Sequence, residues 1–394
     1  MLEIGKAEAE AASRVITRGQ LFRYGSELNE CTKFERELAE KMGTKHALVV
    51  TSGTAALICA LAGLEVGPGD EVILPAYTFM ASALAPLALG AIPVIAEIDE
   101  SLTLDPEDVE KKISSRTKVI MPVHMVGLPC DMRGIMRIAR RHEVKVVEDA
   151  CQADGGSYRG KRLGAIGDVG AFSFNYYKNI TCGEGGAVIT DDRVAYERAL
   201  IFHDGGAAFR PGAAAIGVPF FAGFNFRMNE ILAAVLRVQL RRIDGLLKRN
   251  RANKARFLAG VADHPRLRPI KHNDLEGECA TVVGFLFADE PQARRFMAAL
   301  SRHGVGSSTP IDSGRHVYRN WEPIMERRGS YHPALDAFRR PENKGAQMEY
   351  SPDMCPRTLD ILARTVFLSI RPEWKAAEVR RRAKACCAAA DELS

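Results

Sequence analysis

One lysine stands where a solvated charge has little use. Lys178 lies in FSFNYYKNITCGEGGAV, residues 172–188, between an aromatic run and a knot of glycines. Lysine is seldom buried unless it is paired or chemically used. Its amine is therefore a candidate for imine formation, with a snorkelling surface lysine as the plain alternative. In the same stretch Ser173 offers a hydroxyl to a phosphate, and Gly183, Gly185 and Gly186 would let backbone pass close to a bound group.

Three other stretches carry chemistry that matches. TSGTAAL, residues 51–57, runs from a strand into a helix. Ser52 and Thr54 bring hydroxyls, Gly53 permits close approach, and the helix N-terminus presents N–H groups to an anion. That suits a phosphate, and it reads equally as a Ser/Thr N-cap. In AYTF, residues 76–79, Tyr77 or Phe79 could lie flat on a planar ring or simply fill the core. VKVVEDACQA ends an apolar run with Glu148 and Asp149. A carboxylate there is costly without a cation to answer it; a protonated pyridine nitrogen would serve, and an ordinary cap is the alternative. A phosphate cradle, an aromatic face, an acid for a ring nitrogen and an amine together describe pyridoxal 5′-phosphate. No GxxxxGK[ST] pattern supports a nucleotide P-loop.

These groups converge only if their strands end at one edge. From Ala47 to Asp149, short β-branched runs (HALVV, EVILP, IPVIAEI, KVIMPVH, VKVVEDA) alternate with helical segments. That order predicts an α/β fold with a mostly parallel sheet covered on both faces, whose ligands sit beyond the carboxyl ends of the strands. VGAFSF and GAVITD should join the same sheet. The helical stretch 228–261 is expected to bend or break around Asp244 to Asn250 and to cross into a second unit. This gives a large domain over 1–248, with an N-terminal arm, and a small C-terminal domain over 249–394. The segment 309–356 is too long for a plain connector and should be partly helical or functional.

Composition narrows the class. The chain has 394 residues, 46% hydrophobic and 26% charged, with a net charge of +5 spread along it. No basic stripe calls for nucleic acid, and no apolar run is long enough for a membrane span. The N-terminus reads as an amphipathic helix rather than a secretory signal. Nine cysteines without a CxxC pair argue for a reducing cytoplasm and against a structural metal or a disulfide framework.

The sequence resembles the DegT/DnrJ/EryC1/StrS group of fold-type-I PLP enzymes from about Gly25 to Pro372. The resemblance runs through FERELAEKMGTKHALVVTSGTAAL, VILPAYTFMAS, VEDACQADGG, GDVGAFSFNYYKNITCGEGGAVIT, FNFRMNEILAAVLRVQL and CPRTLDILARTVFL. It implies a large domain with a mostly parallel sheet flanked by helices, and a smaller α+β C-terminal domain. It assigns Lys178 as the lysine that bonds the cofactor, Asp149 as partner of the pyridine nitrogen, and Gln152 as neighbour of the phenolic oxygen. Phe79 would stack on the ring in preference to Tyr77. Gly53, Thr54 and Ser173, beside Ser52, would hold the phosphate, with Asn225 reaching in from the other subunit of a homodimer with shared sites.

The implied activity is transfer of an amino group from glutamate or glutamine to a keto-sugar, often nucleotide-linked, or a keto-cyclitol, in amino-sugar, aminocyclitol or antibiotic-type biosynthesis. Relatives that dehydrate deoxysugars replace the lysine by histidine, and this chain keeps lysine; a non-catalytic PLP-binding regulator would not need Lys178 or Asp149. Arg227, Arg210 and Arg315 are candidate anion contacts, and His316, Tyr318 and Trp321 candidate acceptor contacts. The loop 203–218 is expected to close over the site. The 309–356 segment and the ending VFLSIRPEW depart from many nucleotide-sugar members, which favours a cyclitol-like or otherwise unusual acceptor.

Overall fold

The computed structural model describes residues 4–25 and 29–393. Two helices, α1 (Lys6–Arg18) and α2 (Glu30–Met42), precede the first strand. Strand β1 (His46–Val50) feeds α3 (Gly53–Gly63), β2 (Glu71–Pro75) feeds α4 (Ala81–Ala88), and β3 (Ile92–Ala96) feeds α5 (Pro106–Lys112). Then come β4 (Thr117–Ile120), α6 (Met132–His142) and β5 (Lys145–Asp149). A two-stranded flap, β6 (Ser157–Tyr158) and β7 (Lys161–Arg162), leads to β8 (Val169–Ser173), β9 (Gly186–Thr190) and α7 (Arg193–His203).

Seven of these strands form one sheet in the order β1-β9-β8-β5-β4-β2-β3. The pairs among β3, β2, β4, β5 and β8 are parallel, whereas β9 runs antiparallel to both β8 and β1. The reason is the connection. Residues 174–185 form a short return with no crossover helix, and a strand so joined must come back antiparallel. That return carries Lys178. Because β9 is reversed, its first residue, Gly186, lies level with Val50 and Ser173, the last residues of β1 and β8.

Helix α8 (Glu230–Ala259) runs unbroken for 30 residues, so the expected break at Asp244 to Asn250 is absent. Leu240, Ile243, Leu247, Asn250 and Lys254 continue one buried stripe through that region, while Asp244 faces outward to Lys41 and Arg162 at 2.8 and 2.7 Å. Periodic burial keeps the helix intact where charge suggested a break.

Beyond it lie β10 (Val282–Leu286), α9 (Glu290–Arg302), α10 (Glu322–Met325), α11 (Pro356–Ala363), β11 (Thr365–Ser369) and α12 (Ala376–Asp391). Strands β10 and β11 pair antiparallel, and a separate core, including Phe257, Phe285, Phe296 and Val379, forms around them.

The segment 309–356 is built of short 3₁₀ turns and α10. It is stitched to the end of β2: Tyr318 N–H donates to Ala76 O, and Thr78 N–H to His316 O, both at 3.0 Å. Val317, Tyr318 and Trp321 are fully buried in the main core.

Candidate active site

The carboxyl ends of β1, β2, β5 and β8 open onto one cleft of about 850 Å³. At its α3 end, Ser52 caps the helix, its Oγ accepting Ala55 N–H at 3.1 Å. Both readings of this stretch are compatible, since a capped N-terminus still points its first turn at the cleft, which Gly53 and Thr54 line. A Cβ on Gly53 would meet Ser173 Cβ at 2.7 Å and Cys151 Sγ at 3.0 Å. Only glycine lets α3 start this close to the end of β8. Ser173 is itself buried and lines the cleft.

Two of the glycines after Lys178 lie against other parts of the fold and one forms a turn. A Cβ on Gly186 would fall 2.2 Å from the Ser52 carbonyl, and Gly183 holds a left-handed φ of 93° with open space around it. A Cβ on Gly185 would meet Met228 Cε at 2.7 Å and Cys182 Sγ at 2.8 Å, so the close approaches at Gly185 and Gly186 are to the protein's own atoms.

Asp149 closes the floor. It is 4% exposed; Oδ2 accepts Ser82 Oγ–H at 2.7 Å and Oδ1 accepts Cys151 N–H at 3.1 Å. Ser82 Oγ lies 2.7 Å from Thr78 Oγ1. No Lys or Arg pairs with this carboxylate among the described residues, so a cation arriving in the cleft would meet it unneutralised. Glu148 points to the other face, as strand alternation requires. There it accepts N–H groups of Gly164, Ile166 and Gly167 and lies 3.0 Å from His124 Nε2. The His124 Nδ1 accepts Cys130 N–H at 3.1 Å, which leaves the ring proton on Nε2 for Glu148. Glu148 thus anchors a loop instead of answering a ligand charge.

Lys178 lines the cleft from the β8–β9 return. Its N–H donates to Asn175 O at 3.0 Å, and Thr181 Oγ–H donates to Phe174 O at 3.0 Å, which steadies the loop. Its Nζ has no hydrogen-bond or ion-pair partner among the described residues. Gln152 is oriented by Val126, whose N–H donates to Gln152 Oε1 at 3.1 Å. That contact leaves Gln152 Nε2 as the donor available to the cleft. Val126 pays for it with a left-handed φ of 46°, a strained state for a β-branched residue. Thr281 Oγ–H, donating to Val126 O at 2.8 Å, helps hold it. Phe79 lines the cleft and is 39% exposed, whereas Tyr77 is 3% exposed and faces the adjoining recess. Cys151 also lines the cleft; burial, reinforced by Asp149, pushes its thiol well above the ordinary range, so it is no nucleophile.

The donor set fits pyridoxal 5′-phosphate: an unpartnered amine, a buried carboxylate free of cations, and a helix N-terminus beside Ser173 where only glycine clears the approach. The model for the DegT/DnrJ/EryC1/StrS aminotransferase family matches residues 2–322. The chain belongs to that family.

This aminotransferase is similar to two curated relatives. It is 44% identical over 263 residues to dTDP-3-amino-3,4,6-trideoxy-alpha-D-glucose transaminase of Streptomyces venezuelae, covering 66% of this chain and 67% of that one. It is 44% identical over 241 residues to 3-amino-5-hydroxybenzoate synthase of Amycolatopsis mediterranei, covering 60% and 61%. The aligned parts therefore span 67% and 61% of those relatives' lengths. A solved structure of 3-amino-5-hydroxybenzoic acid synthase superposes with a TM-score of 0.81 at 31% identity, over 100% of this chain and 98% of that one. The family match ends at Glu322, inside the 309–356 segment.

In this aminotransferase the expected substrate contacts divide. Arg315 and His316 line the cleft, with the His316 ring 5.6 Å from that of Phe79. Burial lowers the His316 pKa against the hydrogen bond to the Ser313 carbonyl, and nearby Lys178 and Arg315 add to the shift. Tyr318 and Trp321 do not reach the cleft. Tyr318 Oη–H donates to Pro352 O at 2.6 Å, and Trp321 Nε1–H to Arg315 O at 2.9 Å; both are core residues that brace the turn carrying Arg315 and His316. Arg227 and Arg210 are paired to the buried Asp204 at 2.6 and 2.9 Å, away from the cleft. The loop 203–218 lies with them, beside Tyr24 and Tyr196, in a separate recess; it does not close over its own chain's cleft.

Asn225 is exposed and outside its own cleft, its Oδ1 accepting Arg227 N–H at 3.3 Å. It does not cap α8 either, since Asn229 does so through Leu232 N–H. Thr78, Ser82, Val126 and Thr281 were missed by sequence reasoning. Ser82 alone left a signal, as a polar residue in the apolar run MASALAPLAL.

Proposed function

We propose that this chain uses pyridoxal 5′-phosphate to move an amino group from glutamate or glutamine to a keto-sugar, nucleotide-linked or not, or to a keto-cyclitol. The observation that carries the reading is the pairing, in one cleft, of the unpartnered Lys178 amine with an Asp149 carboxylate held by Ser82 rather than by a cation. When bound, the cofactor supplies an electron sink for charge developing at the donor's α-carbon. Lys178 Nζ would hold the cofactor and, once released as a free amine, would take the proton from the donor's α-carbon and pass it to the cofactor carbon within the same half-reaction, with the reverse transfer in the second. Asp149 would keep the ring nitrogen protonated, Gln152 Nε2 would donate to the phenolic oxygen, Thr54, Ser173 and the α3 N-terminus would hold the phosphate, and Phe79 would cover the ring.

Asn225 has no work in its own cleft, which supports a homodimer in which it serves the partner's phosphate. The adjoining recess of about 460 Å³, with Ser307, Ser308, Asp312 and Ser313 in its wall, supports a polyhydroxylated acceptor, and Arg315 supplies a cation for an anionic group on either substrate. The nine free thiols support a reducing, cytoplasmic setting. The core around β10 and β11, made only of residues 257–393, supports a small domain after about residue 248.

The test is to load the purified chain with the cofactor, add each amino acid, and follow bleaching of the yellow species. The bleached protein is then offered keto-sugars and keto-cyclitols, with mass spectrometry of the aminated product. Glutamate or glutamine should bleach it, and a chain that no amino acid bleaches sinks the reading.

A further inference from the structure

Gln152 owes its orientation to a distant part of the chain. Its Oε1 accepts Val126 N–H at 3.1 Å. A backbone N–H can only donate, so the amide is turned with its oxygen to Val126 and its Nε2–H to the cleft. Val126 offers that N–H from φ 46° and ψ 28°, and it is the only β-branched residue with a positive φ among the described residues. Left to itself, such a residue returns to extended or right-handed helical backbone, and its N–H turns away from Gln152.

What opposes that return comes from residues 279–281, just before β10. Thr281 Oγ–H donates to Val126 O at 2.8 Å, and Cys279 N–H donates to Gly127 O at 3.0 Å. A Cβ on Gly127 would lie 2.5 Å from Cys279 Cβ, so the loop is pressed against this segment. Thr281 is fixed in turn, since Ile370 N–H, just past β11, donates to Thr281 O at 2.8 Å. A chain of contacts thus runs from the strand pair β10–β11 through Thr281 and Val126 to Gln152. Val126, Gln152 and Thr281 all line the cleft.

We propose that Thr281 is a positioning residue which, by holding Val126 in its left-handed state, keeps the Gln152 Nε2 donor turned to the cleft. The Cys279 contacts fix where the loop lies, and the Thr281 hydroxyl fixes the peptide that carries the Val126 carbonyl. Without that hydroxyl Val126 relaxes, Gln152 Oε1 loses its donor, and the amide presents oxygen to the cleft as readily as N–H. The inference rests on the reading of Gln152 as donor to the cofactor's phenolic oxygen.

The cofactor-free chain supplies the first test, through hydrogen exchange resolved to single amides. Thr281→Val keeps the shape and removes the hydroxyl, so exchange at the Val126 N–H should quicken about fivefold. The nearby His124 N–H, bonded to Asp149 O at 3.0 Å, should keep its wild-type rate, and Thr281→Ser should restore protection at Val126. Unchanged exchange at Val126 in folded Thr281→Val overturns the proposal. Equal quickening at His124 overturns it too, because the loop would then have loosened as a whole. Should Thr281→Val fail to fold, Thr281→Ala removes the same hydroxyl and is read in the same way.

The cofactor-loaded protein supplies the second. Losing a donor at the phenolic oxygen leaves more negative charge on the chromophore, so the pH midpoint of its yellow absorbance should rise by about half a unit to one unit in Thr281→Val. Thr281→Ser should stay at the wild-type midpoint. Adding Val126→Gly to Thr281→Val should bring the midpoint back toward wild type, because glycine adopts a positive φ without strain. A double variant no closer to wild type than Thr281→Val overturns the relay through Val126. The exchange arm needs no cofactor, so its failure leaves the proposed function standing, whereas a chain that never turns yellow sinks that function and leaves the exchange result intact.

Discussion

Ser82 Oγ–H donates to Asp149 Oδ2 at 2.7 Å, from the first turn of α4 to the last residue of β5. The bond aims the carboxylate while leaving its charge intact, and the two residues predict graded effects. Asp149→Asn keeps the size and loses the charge, and turnover should fall on the order of 10²–10³-fold. Ser82→Ala removes one charge-assisted hydrogen bond, about 1.5 kcal/mol, so cofactor affinity should drop roughly tenfold. Cofactor titration and single-turnover rates on both variants check this; equal effects would mean that Ser82 does more than aim Asp149.

Gly53→Ala places a methyl group 2.7 Å from Ser173 Cβ. Backbone and β-carbon cannot both stay, so α3 and β8 must part at the phosphate end. Cofactor affinity and turnover should fall together, with turnover down on the order of 10²-fold from misplacement, while far-ultraviolet circular dichroism stays near wild type. Full activity would place the phosphate elsewhere.

Lys178→Ala should abolish amino transfer, and borohydride reduction of the wild-type protein should label Lys178 and no other lysine. Asn225→Ala should be severely impaired as well. Mixed under subunit exchange, the two variants should recover activity, because each mixed dimer holds one site with both lesions and one with neither. A mixture that stays inactive despite verified exchange would place Asn225 outside the partner's site.

Asp204 is buried, which raises its pKa, but hydrogen bonds from Arg210 and the Gly206 amide, with Arg227 beyond, bring it below the ordinary carboxylate range. A carboxyl depressed in the folded state contributes stability above its unfolded pKa of about 4, and that contribution is lost as pH falls further. Asp204→Asn leaves two arginines without their counter-charge and should cost roughly 3–5 kcal/mol at pH 7. The difference from wild type should shrink as pH drops below about 4. Urea titrations across pH test the sign, and a gap that widens in acid would overturn the assignment.

Much of the fold was legible because its signals are local. HALVV, EVILP and VKVVED are β-branched runs whose limits match β1, β2 and nearly β5, and periodicity of that kind depends on near neighbours only. The break expected in α8 shows the limit of such signals. A charged, glycine-containing patch reads as a weak point until the buried stripe beneath it is seen.

Lys178, Asp149, Ser173 and Ser52 to Thr54 could be picked from sequence because a parallel sheet brings strand ends together whatever the details of packing. What lies between those ends depended on contacts across long separations. Tyr318 and Trp321 look like pocket aromatics in RHVYRNWEP, and burial against the end of β2, some 240 residues earlier, turns them into braces for Arg315 and His316. Arg210, Arg227 and Arg315 are equivalent in sequence. Asp204 neutralises two of them and leaves the third at the cleft.

The amino-acid sequence by itself determined the α/β alternation, the family, and the lysine and acid at the ends of strands, because residue type and spacing act over a few positions. Only the tertiary structure decided which charges are spent on the fold and which way Gln152 turns, because burial and pairing are set by residues that meet only once the chain has folded.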